Sequence, residues 1–281
     1  MLAPMRIAFT KMHGLGNDFA LFETSAGGVP LAGAQLRRLA DRHTGIGFDQ
    51  ALILEPPRRA ETVVFYRIFN ADGIEVEQCG NGARCIAALL ASRGLAREGA
   101  LTMDSPAGLV QARTEPGGCV SVDMGPVRFD PAALPFEAAA EADRYRLEVG
   151  TETLEIGAVS IGNPHAVLAV QSVLAAPVAR LGPQIEGHVR FPRRVNTGFM
   201  QVVDRSHIRL RVHERGAGET LACGTGACAA VAVGRRWGLL DPAVTVSTRG
   251  GELRVSWADR SESIWLTGPA QIVFEGHVEI S

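Results

Sequence analysis

Lysine is almost missing from this chain. Of 28 basic residues, Lys11 is the single lysine and the others are arginines. Chemistry that carries pyridoxal phosphate needs a Schiff-base lysine, so one candidate exists, and its neighbours do not suggest the role. Excess charge is missing too. The net charge is −2 at pH 7, which gives no electrostatic case for nucleic acid or an anionic membrane surface. No run approaches the roughly 18–20 apolar residues of a membrane span, and no signal-peptide apolar core precedes Lys11. The expectation is a cytoplasmic protein. The five cysteines, at positions 79, 85, 119, 223 and 228, are odd in number, which argues against a disulfide scaffold. Their C-x5-C and C-x4-C spacings, with no nearby histidine pair, do not suit a zinc site, so no metal is expected. A nucleophile elbow G-x-S-x-G and a phosphate-loop Gly-Lys-Ser/Thr are both absent.

What is present is an alternation of short strands and helices over 281 residues, long enough for two domains that each bury a core. Strands are expected at Ile7–Met12, Phe19–Glu23, Gln50–Leu54, Thr62–Asn70, Leu101–Asp104, Leu109–Thr114 and Cys119–Asp123. Helices are expected at Leu31–His43 and from Gly80 to Arg93, the second closed by Gly94. Pro126 to Asp143, rich in proline, alanine and acid, reads as a connection. Beyond it come strands at Tyr145–Val149, Glu155–Ile161, Ala166–Val170, Phe199–Val203 and His207–His213, with helices near Gln171–Leu181 and over Gly226–Trp237, and a β-rich end.

A faint duplication is the most informative feature. Cys79-Gly80-Asn81-Gly82-Ala83 matches Cys223-Gly224-Thr225-Gly226-Ala227, 144 residues later. Gly16-Asn17 matches Gly162-Asn163 and Gln50 matches Asn196, both 146 apart, and Asn70 matches Glu214, 144 apart. Near-constant spacing of half the chain points to two copies of one fold, with a shared site between the halves.

Both Cys79 and Cys223 precede a glycine-rich helix start, where unpaired amides and the helix dipole favour an anion. This setting is expected to lower the thiol pKa and to offer Gly80, Gly82, Gly224 and Gly226 to a ligand carboxylate at close approach. Two thiols on opposite sides of one carbon could remove a proton from one face and deliver one to the other, inverting a stereocentre. Cys85 and Cys228 read as core residues, and Cys119 receives no role. Gly224-x-Gly226-x-x-Ala229 also fits a relaxed dinucleotide fingerprint, without the acidic residue about 20 positions on, which leaves a nucleotide-binding module as the competing class.

The longer motifs resemble the diaminopimelate epimerase family. They are Lys11-Met12-His13-Gly14-Leu15-Gly16-Asn17-Asp18-Phe19, Phe69-Asn70-Ala71-Asp72-Gly73, Gln78-Cys79-Gly80-Asn81-Gly82-Ala83-Arg84-Cys85, Gly162-Asn163-Pro164-His165, Arg194-Val195-Asn196-Thr197-Gly198-Phe199, and Glu214-Arg215-Gly216-Ala217-Gly218-Glu219-Thr220 running into Leu221-Ala222-Cys223. The resemblance implies an α/β (α+β) fold of two similar domains related by a pseudo-two-fold axis. Each would be a mostly antiparallel barrel-like sheet around a central helix, with the active site in the cleft between them. Residues 1–124 with 270–281 would form the half carrying Cys79, and 125–269 the half carrying Cys223. It further implies a homodimer that interconverts LL- and meso-diaminopimelate without a cofactor, in lysine and peptidoglycan-precursor synthesis. Cys79 and Cys223 would be the acid/base thiols. Asn17, Gln50, Asn70, Gly80, Asn81, Asn163, Asn196, Glu214, Arg215, Gly224 and Thr225 would bind substrate, and His165 and Glu214 would tune the thiols. The physical reading agrees: Arg215 can hold a distal carboxylate as a bidentate pair, and Glu214 an ammonium. A racemase of the proline or hydroxyproline type shares the paired-cysteine plan and is the nearest enzyme alternative.

Overall fold

The computed structural model describes residues 5–24, 31–76 and 79–280; Gln78 and the extreme ends of the first expected domain lie outside them. The chain divides into two compact units, Met1–Val122 with Gly268–Ser281, and Asp123–Thr267. Each is a mixed α/β unit.

Unit 1 contains β1 (Met5–Gly14), β2 (Asn17–Glu23), α1 (Gly33–Ala40), β3 (Gln50–Glu55), β4 (Phe65–Asn70), β5 (Glu75–Val76), α2 (Gly80–Ser92), β6 (Ala100–Ser105), β7 (Gly108–Thr114) and β8 (Cys119–Pro126), which runs across the boundary. Unit 2 contains β9 (Tyr145–Val149), β10 (Glu152–Ser160), β11 (Pro164–Ala169), α3 (Val178–Glu186), β12 (Asn196–Asp204), β13 (His207–Glu214), β14 (Gly218–Glu219), α4 (Gly224–Arg236), β15 (Ala243–Thr248), β16 (Gly251–Ser256) and β17 (Ser263–Pro269). The last strand, β18 (Gln271–Ile280), belongs to unit 1.

Pairing in the two units follows one plan. In unit 1, β1 lies antiparallel to both β18 and β2. β2 is parallel to β3, and β3 antiparallel to β4. β4 is antiparallel to β5 and parallel to β6, and β6, β7 and β8 form an antiparallel meander. In unit 2, β10 is antiparallel to β9 and β11, and β11 is parallel to β12. β12 is antiparallel to β13. β13 is antiparallel to β14 and parallel to β15; β15 and β16 are antiparallel, as are β16 and β17. A helix occupies the same crossover in each: α1 between β2 and β3, α3 between β11 and β12.

The alternation of side chains explains how β2 and β3 can be buried throughout. Ala20, Phe22, Ala51 and Ile53 join Leu36, Leu39 and Phe48 in one core cluster against α1. The intervening Phe19 and Leu52 face α2, where a Cβ on Gly82 would lie 3.1 Å from Leu52 and 3.5 Å from Phe19. Successive strand residues point to opposite faces, so an unbroken apolar run is covered on both sides. The helix α2 is buried over most of its circumference, as expected of a helix enclosed by sheet; it touches β1, β2, β7 and β18. Its counterpart α4 touches β10 to β13 and β16.

Two expectations need correction. The helix placed near Gln171–Leu181 instead runs Val178–Glu186. Pro177 lacks the amide needed inside a helix and stands at its N-cap, and the helix continues through Pro183. The connecting segment is also more than a linker. It holds a 3₁₀ turn at Pro131–Ala133, and its Leu134 and Phe136 enter the unit 2 core with Tyr145 and Phe191. The Asn70–Gly73 turn is as expected. Gly73 has φ +78° and a Cβ there would meet the Gly33 carbonyl oxygen at 2.2 Å, so both conformation and space require glycine.

Candidate active site

In unit 1 the site residues gather at the start of α2. Cys79 is the N-cap residue, with extended backbone (φ −146°, ψ 107°). Its Sγ lies 3.9 Å from Asn17 Oδ1 as a donor. Asn81 Nδ2 donates to the same oxygen at 3.1 Å, and Arg84 Nη2 donates to Asn81 Oδ1 at 2.8 Å. Asn17 Nδ2 in turn donates to Asp49 Oδ2 at 3.0 Å. Gln50 and Asn70 stand opposite each other in the β3–β4 register. Gln50 Nε2 donates to Asn70 Oδ1 at 2.8 Å, while the buried Gln50 Oε1 has no protein partner. Gly80 and Asn81 are buried in the first turn.

In unit 2 the same positions gather at the start of α4. Cys223 is buried, extended (φ −113°, ψ 114°), and its Sγ accepts from Gly226 N at 3.4 Å. Thr225 Oγ1 is 3.6 Å from that sulfur, and Asn163 Nδ2 donates to Thr225 Oγ1 at 3.3 Å. Asn163 Oδ1 contacts His165 Nε2 at 3.0 Å, and Asn196 Nδ2 lies 3.5 Å from the same nitrogen. Asn196 Oδ1 accepts from the Arg215 amide at 2.8 Å, and Arg215 Nη1 donates to the Arg193 carbonyl at 3.0 Å. Glu214 accepts a short hydrogen bond from the Thr220 hydroxyl. Glycine is sterically required at the helix start: a Cβ on Gly226 would lie 2.9 Å from Val212 and 3.2 Å from Cys223 Sγ.

The electrostatics differ from the sequence expectation at Cys223. Burial pushes its thiol pKa up, and the neighbouring Glu214 carboxylate pushes it further; Thr225 and the Gly226 amide oppose them and lose. A helix N-terminus favours thiolate, but desolvation of a fully buried sulfur favours the neutral form. Cys223 therefore rests as a thiol. Burial also carries His165 down to about 3, with Arg215 adding to the effect, so its imidazole is neutral. The shorter contact makes Nε2–H the donor to Asn163, and the buried Nδ1 has no protein partner. Cys85 and Cys228 are fully buried, and burial pushes the Cys85 thiol up to about 12, consistent with inert core residues.

Several neighbours of these residues were given no role in the site from the sequence. Lys11 forms a 2.6 Å ion pair with Asp18 and donates to the Gly47 carbonyl. Arg42 adds two bonds to Asp18, at 2.9 and 2.7 Å, and one to Asp49 at 2.8 Å. Burial opposes ionisation of Asp18, yet Arg42 and Lys11 hold its carboxyl well below the usual range. The signal available was adjacency: Asp18 follows Asn17 and Asp49 precedes Gln50. Arg84, fully buried, lies inside the quoted cysteine motif.

Known proteins place the chain in a family. The family model for diaminopimelate epimerase matches residues 9–129 and 157–273. The diaminopimelate epimerase of Thioalkalivibrio sulfidiphilus is 56% identical over 278 residues, covering 98% of this chain and 100% of that protein. That of Nitrosomonas europaea is 54% identical over 277 residues, with the same coverage. Among solved structures, a hydroxyproline epimerase from Agrobacterium vitis with bound trans-4-hydroxy-L-proline superposes with a TM-score of 0.68 at 17% identity, covering 98% of this chain and 93% of that one. A PhzF-family phenazine biosynthesis protein from Bacillus anthracis gives 0.70 at 20% identity, covering 98% and 100%. These likenesses concern the fold, whereas the long matches at over half identity place the sequence: the chain belongs to the diaminopimelate epimerase family.

Proposed function

We propose that this protein interconverts LL- and meso-diaminopimelate without a cofactor, passing protons at the α-carbon through Cys79 and Cys223. The observation that carries it is the repeated placement of a cysteine at the N-cap of a glycine-rich helix in each unit, ringed by matching polar residues, in a member of this family. One sulfur, as thiolate, takes the α-proton; the other, as thiol, delivers its own proton to the opposite face. After turnover the charges on the two sulfurs are exchanged, ready for the reverse reaction. Developing negative charge on the substrate carboxylate is met by backbone amides at Gly80–Asn81 and Gly224–Thr225.

Diaminopimelate carries two carboxylates and two ammoniums. Arg215 serves the distal carboxylate and Glu214 an ammonium, while Asn17, Gln50, Asn70, Asn163 and Asn196 supply both donors and acceptors. The unpartnered Gln50 Oε1 and His165 Nδ1 support a site that expects polar company. Glu214 tunes Cys223, and His165 acts on the thiol through Asn163 and Thr225. We read each unit as a barrel-like sheet around its own helix, α2 in unit 1 and α4 in unit 2. The partner in solution is a second copy, which the exposed Ile272, Val273 and Phe274 of β18 support, and the setting is the cytoplasm.

In heavy water the enzyme is expected to incorporate deuterium at the α-carbon of diaminopimelate, and Cys79→Ala or Cys223→Ala to abolish epimerisation with the fold intact by circular dichroism. A single variant with near-normal turnover overturns the two-thiol scheme. Exchange of proline but not diaminopimelate moves the assignment to the racemase alternative, and saturable nucleotide binding without exchange moves it to another class.

A further inference from the structure

The polar chain beside Cys79 has a direction that is forced from both ends. Arg84 is a pure donor, so the end of Asn81 facing it must be the carbonyl. That turns Asn81 Nδ2 toward Asn17, 3.1 Å away, and requires the Asn17 carbonyl there. At the far end the Asp49 carboxylate is a pure acceptor, so the end of Asn17 facing it, 3.0 Å away, must be Nδ2. Guanidinium, amide, amide and carboxylate thus run in one sense, and the Asn17 carbonyl faces Cys79 Sγ. Asp49 is itself fixed: its Oδ2 accepts from the Asp18 amide at 3.2 Å and its Oδ1 from Arg42 at 2.8 Å.

The second copy lacks both charged ends. At the repeat spacing, Asp49 corresponds to the buried Val195 and Arg84 to the buried Cys228. There the equivalent amide, Asn163, turns the other way. Its carbonyl faces His165 and its Nδ2 faces Thr225 at the start of α4. Equivalent asparagines therefore present an acceptor to the first helix start and a donor to the second.

We propose that Asp49 is a positioning residue, which fixes the Asn17 amide so that its carbonyl, and not its NH2, meets Cys79. A carbonyl at the sulfur favours S–H over thiolate. Tyr66 on β4 and Cys85 on α2 are the titratable groups that interact electrostatically with Cys79, and Arg84 lies beside Cys85. The inference rests on the proposed function for its catalytic consequence, while a chemical readout of the thiol tests it independently of turnover.

Asp49→Ala is the direct test. Its side chain is 45% exposed, so the fold is expected to persist, and Asp49→Ser, whose hydroxyl is too short to reach Asn17, gives a second variant. Either is expected to lower kcat/KM about tenfold, within the roughly hundredfold range of positional errors. The Cys79 alkylation rate with iodoacetamide, read by peptide mass spectrometry, is expected to rise on the order of threefold as the carbonyl loosens, with that of Cys223 unchanged. Asp49→Asn, which keeps an acceptor toward Asn17 by turning its NH2 toward the exposed Arg42, is expected to retain most of both wild-type values. In an Asn17→Ala background, Asp49→Ala should add no further loss. Full activity with unchanged alkylation in Asp49→Ala and Asp49→Ser, equal impairment in Asp49→Asn, or an undiminished Asp49 effect without Asn17 overturns the inference. Loss of the alkylation effect would count against Asp49 alone; altered alkylation with no diaminopimelate exchange even in wild type would count against the proposed function alone.

Discussion

A buried imidazole with one satisfied nitrogen sets a measurable condition on this protein. His165 ordinarily titrates near 6.5, but burial holds it at about 3 in the folded chain. The folded state therefore binds its proton more weakly than the unfolded state does. Its contribution to stability is fully present above pH 6.5 and is lost as the pH falls toward 3, at about 1.4 kcal/mol per pH unit. Urea unfolding is expected to show about 2 kcal/mol less stability at pH 5 than at pH 7 from this group, and His165→Asn should remove that increment. An equal slope in the variant would refute it. His165 was legible in the sequence as a candidate because it stands in a motif, and its neutrality was not, since burial depends on strands distant in the chain. At the repeat spacing its counterpart is Phe19, an apolar residue also buried, so the duplication gave no hint that this position becomes polar in one half. The direction of the Cys223 shift failed for a related reason. Helix-start chemistry is local and readable, but the burial that outweighs it, with the Glu214 carboxylate adding to it, is set by packing.

Elements were read well where pattern and punctuation coincide. Both cysteine helices were expected within two residues of their observed starts because glycines mark their entry. α3 was expected but placed several residues early because proline signals ambiguously: it can open a helix or interrupt one, and here Pro177 opens it while Pro183 lies within it. Packing between elements was not readable at all. Gly157 of β10 is a case in point, since a Cβ there would lie 2.4 Å from Val233 Cγ1 on α4 and 3.1 Å from Trp237. Helix and strand approach each other at the one place without a side chain. Gly157→Ala is expected to cost about 1–3 kcal/mol through overpacking, read as a lower denaturation midpoint. A neutral result would show that α4 can shift without loss. Because α4 carries Cys223 at its start, the same variant should lower kcat more than it raises KM.

At the scale of the molecule, two units share one pairing plan although the sequence identity between them is confined to short motifs. The plan was suggested by a handful of pairs at constant spacing, and it is the register of the parallel β2–β3 and β11–β12 pairs that brings Asn17 near Gln50 and Asn163 near Asn196 in each copy. If β18 meets a second copy, Phe274→Glu should shift the sedimentation coefficient toward monomer at low micromolar concentration; an unchanged dimer would place that contact on another face. The pairing of Met5 with Ile280 has one more consequence, in time and not in space. The segment from Asp123 to Thr267 is continuous, so during synthesis it can finish folding while β1, made earlier, still waits for β18. A released chain truncated after Pro269 should therefore hold its younger half folded and its older half open to protease.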